Sequence, residues 1–165
     1  MHFIIPLLIL LVLYPKVDKR LAIGLALLTF VPDFDFFIDY THRFLFHNIF
    51  FVVILSSIIY FFSKSFKIFI ISLYYLISHL ILDLTVGAIA LFWPVYNKLI
   101  QVVISLNSNW IFEFKIGTMP LSKIEEHMIS SPSYYFTQEG IIVLFALMIM
   151  LTIKYKKEII KFFKK

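Results

Sequence analysis

Seven side chains able to ionise or to bind a metal sit among the most apolar stretches of this chain: Asp33, Asp35, His42, Arg43, His47, His79 and Asp83. Five of them follow one another as Pro32-Asp33-Phe34-Asp35, His42-Arg43 and His47, and the last two form His79-x-x-x-Asp83. A charge in such surroundings costs a few kcal/mol or more unless it is paired or bound to a metal. Carboxylates and imidazoles gathered at that cost point to a metal site at a membrane. The chain has no cysteine, so the donors must be nitrogen and oxygen.

Spacing suggests how the donors could meet. His79 and Asp83 are four apart, which on a helix places them on one face where they can hold one ion. Asp33 and Asp35 are two apart; a helix would send them about 200° apart, whereas an extended segment or turn points both the same way. Pro32 disfavours helix at Val31 and favours a break there. His42 and His47 suit two neighbouring metals, or one ligand and one general acid or base. Arg43 can pair with a carboxylate or hold a phosphate bidentately. His2 is a further candidate ligand. Asp33, Asp35 and Asp39 could instead cap a following helix, and Asp39 with Arg43 reads as a structural i,i+4 pair. His127 beside Glu125 and Glu126 reads as a solvated turn.

The elements that must position these groups are apolar. The 165 residues are 61% hydrophobic and 19% aromatic, with a mean hydropathy of +0.94. Soluble domains are about 45–50% apolar, so an integral membrane protein with one domain over residues 1–165 is expected. The net charge of +5 does not form a nucleic-acid stripe. Its residues cluster at Lys16-Lys19-Arg20, at Lys64-Lys67 and along 154–165, each bordering an apolar segment, and topology explains them. The N-terminus has no basic region before its apolar run and is kept as mature structure.

Apolar stretches run over 3–14, 21–31, 49–62, 68–82, 86–95 and 141–153. A 14-residue helix spans roughly 21 Å, short of the roughly 30 Å hydrocarbon core. An all-α membrane protein is expected: a bundle of about five short transmembrane helices, with a re-entrant or interfacial segment over 85–106. With the basic loops placed in the cytoplasm, residues 32–47, His79, Asp83 and His2 all reach the extracytoplasmic face. Residues 1–97 then carry the metal-site helices, 107–139 an extracytoplasmic loop or lid, and 140–165 the last helix and a basic cytoplasmic tail. Within the loop, 110–116 alternates like a short strand. Residues 121–128 could make one or two helical turns, with Ser122 and Glu125 as a capping box.

Pro32-Asp33-Phe34-Asp35, His42-Arg43, His47, Ser78-His79-x-x-x-Asp83 and Phe92-Trp93-Pro94 together resemble the YdjM-type family of inner-membrane proteins, regarded as metal-dependent hydrolases. The His-x-x-x-Asp pair and a ligand near the N-terminus are also similar to the helical zinc-dependent phospholipase C and P1 nuclease group. The resemblance covers residues 1–97. The chain departs from the family pattern at Phe44, Phe46 and Asn48, where small or polar residues are usual. It implies a divalent ion, zinc first and manganese or iron next, on Asp33, Asp35, His47, His79 and Asp83, with His42 and His2 contributing. Asp35 or His42 would act as base, Arg43 would hold the phosphate, and Phe34, Phe36, Phe37, Phe92 and Trp93 would admit acyl chains.

The expected function is thus a membrane-bound metal-dependent hydrolase of a phosphoester such as a lipid phosphate. Its partners would be membrane lipids, with homo-oligomerisation open and no nucleic acid involved. The alternative is a non-catalytic membrane protein with a structural or regulatory metal site. Less favoured is a small ion transporter, with Asp33, Asp35 and Asp83 forming its path.

Overall fold

The apolar stretches become helices, with one exception. The computed structural model describes residues 2–38, 43–106, 112–123 and 138–155. In chain order the elements are α1 (Ile4–Leu13), α2 (Lys19–Ala26), α3 (Ile49–Ser63), α4 (Phe66–Val86), β1 (Lys98–Leu106), β2 (Phe112–Pro120) and α5 (Gln138–Lys154). Short 3-10 turns cover Leu27–Phe30, Pro32–Phe37 and Leu121–Lys123. The chain forms two compact units, Met1–Leu27 with Ser133–Lys165, and Leu28–Pro132.

The second unit is built on a helical hairpin. Asn48 caps α3 by accepting from the Phe51 N–H at 2.8 Å, which satisfies one of the orphan donors of the first turn. Lys64 ends α3 in the left-handed region, with φ 51° and ψ 22°, and the chain reverses at once into α4. The buried positions of α4 are Ile71, Ser72, Tyr75, Leu76, His79, Leu80 and Asp83, a stripe at helical spacing. Val52 of α3 packs with Leu76, Leu80 and Ile89, and Leu28, Val31, Leu55 and Leu73 close over them. Ser56 of α3 and Ser72 of α4 are buried too, and small residues let two apolar helices approach closely. At 21 residues, α4 is about 32 Å long. Among the described residues it is the one helix long and apolar enough to cross a membrane.

The exception is the apolar stretch 86–95. Helix α4 ends at Val86, and Gly87 donates back to the Asp83 carbonyl at 2.8 Å. Ile89 then forms an antiparallel bridge with Ile100. The expectation of an all-α protein therefore needs correcting. Within the stretch expected as a re-entrant or interfacial segment, β1 pairs antiparallel with β2, from Lys98 opposite Pro120 to Leu106 opposite Phe112. The β-branched residues Ile100, Val102, Val103 and Ile104 suit a pleated strand better than a helix. One face of the hairpin sends Leu99, which is fully buried, and Met119 onto Ala88, Ala90, Phe44 and Trp93. The strand-like alternation expected at 110–116 falls within β2 from Phe112 onward. The helical turn expected from 121 is a 3-10 turn over Leu121–Lys123, and Glu125, Glu126 and His127 lie outside the described residues.

The other unit holds α1, α2 and α5. Asp18 caps α2, accepting from the N–H groups of Arg20 at 2.9 Å and Leu21 at 3.3 Å. In the same unit, Lys154 donates to the Val12 carbonyl and Tyr155 to that of Leu11. These are last-turn carbonyls of α1 with no partner within their own helix.

Candidate metal centre

Three separate segments deliver four donor groups to a common point, two of them from one helix. Asp33 comes from the 3-10 turn Pro32–Phe37, His47 from the residues leading into α3, and His79 with Asp83 from the buried stripe of α4. One ligand atom from each of these four residues lies within 4.8 Å of the others. His47 and His79 are fully buried and Asp83 nearly so. A group of this kind could hold a metal ion.

The distances test that fit. Asp83 Oδ2 is 2.9 Å from His47 Nε2 and 3.0 Å from His79 Nε2. The two Nε2 atoms are 3.2 Å apart, and Asp33 Oδ1 is 3.6 and 3.5 Å from them. Donors at zinc-ligand distances of about 2.0–2.1 Å in a tetrahedron lie about 3.3 Å from one another. The observed separations bracket that value. Asp33 is the loosest and most exposed member, its side chain 44% accessible. Three donors are thus enclosed, while the fourth faces outward.

Asp35 has a different task. It is buried, and its Oδ2 lies 2.8 Å from His47 Nδ1, on the side of the ring away from Nε2. It also accepts from the Arg43 backbone N–H at 3.1 Å. A carboxylate behind a histidine fixes its tautomer and raises its basicity as a ligand. The separation of roles follows from local structure. Pro32 starts a 3-10 turn instead of an extended segment, with Val31 itself helical at φ −64° and ψ −40°, and proline is well suited to a first helical position. At about 120° per residue, two positions in such a turn differ by about 240°. Asp33 and Asp35 therefore cannot point the same way, and the extended reading of this pair is overturned. Replacing Asp35 by Asn should keep the shape but weaken the hold on His47. Zinc affinity, read by competition with a chromophoric chelator, should fall about 10–100-fold. Unchanged affinity would remove Asp35 from the site.

Arg43 sits at φ 78°, a region uncommon for a residue with a side chain and costly by about 1–2 kcal/mol. Its backbone is fastened on both sides, by Asp35 and by the Ala90 N–H, which donates to its carbonyl at 3.3 Å. Its Nε is buried without a hydrogen-bond partner among the described residues. His2 precedes α1 in the other unit and is not among the four clustered residues. His42 and Asp39 lie outside the described residues. Asn48, met in the sequence only as a departure from a family pattern, caps α3 and donates to the Leu45 carbonyl at 2.6 Å, fixing the loop that carries His47. An Asn directly before an apolar run was the available signal. Phe34, Phe36, Phe37 and Phe92 are exposed, whereas Trp93 is half-buried against the core, its ring tilted against that of Phe44 with centroids 4.8 Å apart.

Electrostatics around His47 match its neighbours. Burial alone would lower its pKa, but hydrogen bonds with Asp33, Asp35 and Asp83 outweigh burial and raise it to about 10. Burial likewise pushes the Asp33 carboxyl up, and the bond with His47 and the charge of His79 bring it below its ordinary value. The protein is therefore built to hold positive charge at this point. Compared with known families, curated proteins and solved structures, the chain finds no match.

Proposed function

We propose that this chain is a membrane protein that binds a divalent ion, zinc first and manganese or iron next, and hydrolyses a phosphoester carried by a lipid. The observation that carries the proposal is the convergence of Asp33, His47, His79 and Asp83 from three segments onto one point. The ligand types and their order, which resemble the YdjM-type proteins, support the same reaction class. An ion there supplies Lewis acidity and lowers the pKa of water from 15.7 to about 7.

The chain's own residues then divide the work. His47, His79 and Asp83 hold the ion, and Asp35 orients His47. Asp35, expected from the sequence as a base, is committed to that ring, so the base is Asp33, the member open to solvent. It would take the proton of the water that attacks phosphorus and return it to the alcohol oxygen that leaves as the ester P–O bond breaks. Arg43, whose buried Nε has no hydrogen-bond partner among the described residues, supplies charge to the phosphate oxygens. The exposed Phe34, Phe36, Phe37 and Phe92 receive acyl chains.

Exposed apolar side chains on α3 and α4, such as Ile54, Phe61, Phe62, Phe66 and Ile81, support a lipid environment for this helical pair. The basic loops favour the orientation with the centre outside and the C-terminus in the cytoplasm. The shorter apolar helices α1, α3 and α5 would be further candidates to enter the bilayer.

The test is release of phosphate from phosphatidic acid in mixed micelles by zinc-loaded protein. Wild type should turn over, and Asp33→Asn should keep its metal while losing about 100-fold or more in rate. A second reading, a purely structural ion, is favoured by the four protein donors, which is the count of closed zinc sites. It predicts no turnover with zinc, manganese or iron, and that result would end the hydrolase reading.

A further inference from the structure

The unit formed by α1, α2 and α5 contains a cleft of about 380 Å³ that the metal centre does not use. Leu8 and Leu11 of α1 and Met148 and Leu151 of α5 line it, and Lys19 and Tyr155 stand at one end. Lys19 Nζ lies 5.0 Å from the Tyr155 ring, whose hydroxyl donates to the Leu11 carbonyl at 3.4 Å. Lys154 is held beside it by the Val12 carbonyl. Lys16 and Arg20 are exposed in the same short stretch as Lys19. The nearest acid in sequence, Asp18, is occupied in capping α2. Apolar walls thus lead to an end marked by the Lys19 ammonium and the Tyr155 ring.

We infer that this cleft binds an anionic phospholipid, with an acyl chain against Leu8, Leu11, Met148 and Leu151 and the headgroup phosphate at Lys19. The volume is that of a small-ligand site, and basic pockets at helix ends are a recurring way to hold anionic headgroups. The walls decide against other occupants. A free anion gains nothing from leucine and methionine, and a peptide segment would bury backbone groups that these side chains cannot satisfy. A lipid with a cationic headgroup group would place that charge among Lys16, Lys19, Arg20 and Lys154. The inference stands apart from the hydrolase proposal, because none of these residues belongs to the metal centre.

The experiment is native mass spectrometry of the full-length protein in detergent, with phosphatidylglycerol and phosphatidylcholine of equal chain length added in competition. Wild type should retain phosphatidylglycerol about 10-fold over phosphatidylcholine. Lys19→Gln should abolish that preference, Lys19→Arg should restore it, and Met148→Trp, which fills the cleft, should lower retention of both lipids. Lys64→Gln, which removes an equal charge from the α3–α4 turn, should change nothing. Equal retention of the two lipids by wild type would overturn the inference. So would an unaltered preference in Lys19→Gln, and if that variant does not fold, full retention by Met148→Trp decides against the cleft.

Discussion

Purified wild-type protein should carry close to one transition-metal ion per chain, and the His79→Ala, Asp83→Ala double variant should carry none. The geometry makes the expected effect nearly all-or-none. Asp83 Oδ2 lies within 3.0 Å of both imidazole nitrogens, so its removal takes away the group that holds the two rings to a common centre. Removing His79 as well leaves His47 and the exposed Asp33, too few donors for a tetrahedral ion. Elemental analysis of protein from detergent, repeated after reconstitution with zinc, manganese and iron, measures the outcome. The absence of metal from wild type under all these conditions would show that the four residues form a hydrogen-bonded cluster and nothing more. Breaking buried pairs of this kind costs about 3–5 kcal/mol, so the variant should also melt earlier, and circular dichroism at room temperature must show that it is folded.

Stripped of metal, the protein should lose stability as the pH rises from about 6.5 to about 10. His47 carries a pKa raised from 6.5 to about 10 by its three carboxylate neighbours. A raised pKa means that the folded state binds the proton more tightly than the unfolded state. The stabilisation is therefore complete below the unfolded value and is lost as pH climbs through the folded one. The full span corresponds to something on the order of 5 kcal/mol, since one unit is about 1.4 kcal/mol. Asp33 acts in the opposite sense at the acid end, because its lowered pKa contributes stability above the ordinary carboxylate value that is lost as pH falls below it. An ion replaces the proton, so the metal-loaded protein should show little of the alkaline decline. Thermal melts at pH 6, 8 and 10 with and without chelator measure the difference. Parallel curves with and without metal would mean that His47 is not the group responsible.

The half of the site on α4 was legible because helical periodicity is strict. His79 and Asp83 at i,i+4 had to share a face, and they share the buried one. The half around Pro32 was legible in residue type but not in geometry. Proline before two alternate aspartates fits an extended segment as well as a 3-10 turn, and only the turn separates Asp33 from Asp35. Expecting both to point the same way followed from the wrong period. The hairpin was hidden for a related reason. Residues 98–106 are apolar enough to be read as membrane-embedded, and their partner strand begins only at Phe112, too far along for local pattern to carry information about pairing. The expectation of a membrane protein, by contrast, rested on composition alone, and among the described residues α4 is the one helix long and apolar enough to cross a bilayer.

The strip over residues 89–91 is tied to three places at once. Ile89 exchanges both backbone bonds with Ile100 of β1, Ala90 donates to Arg43, and Leu91 accepts from the first residue of α3. One short run of backbone therefore joins the hairpin, the first turn of α3 and the Arg43 backbone, whose N–H meets the carboxylate behind the His47 ring.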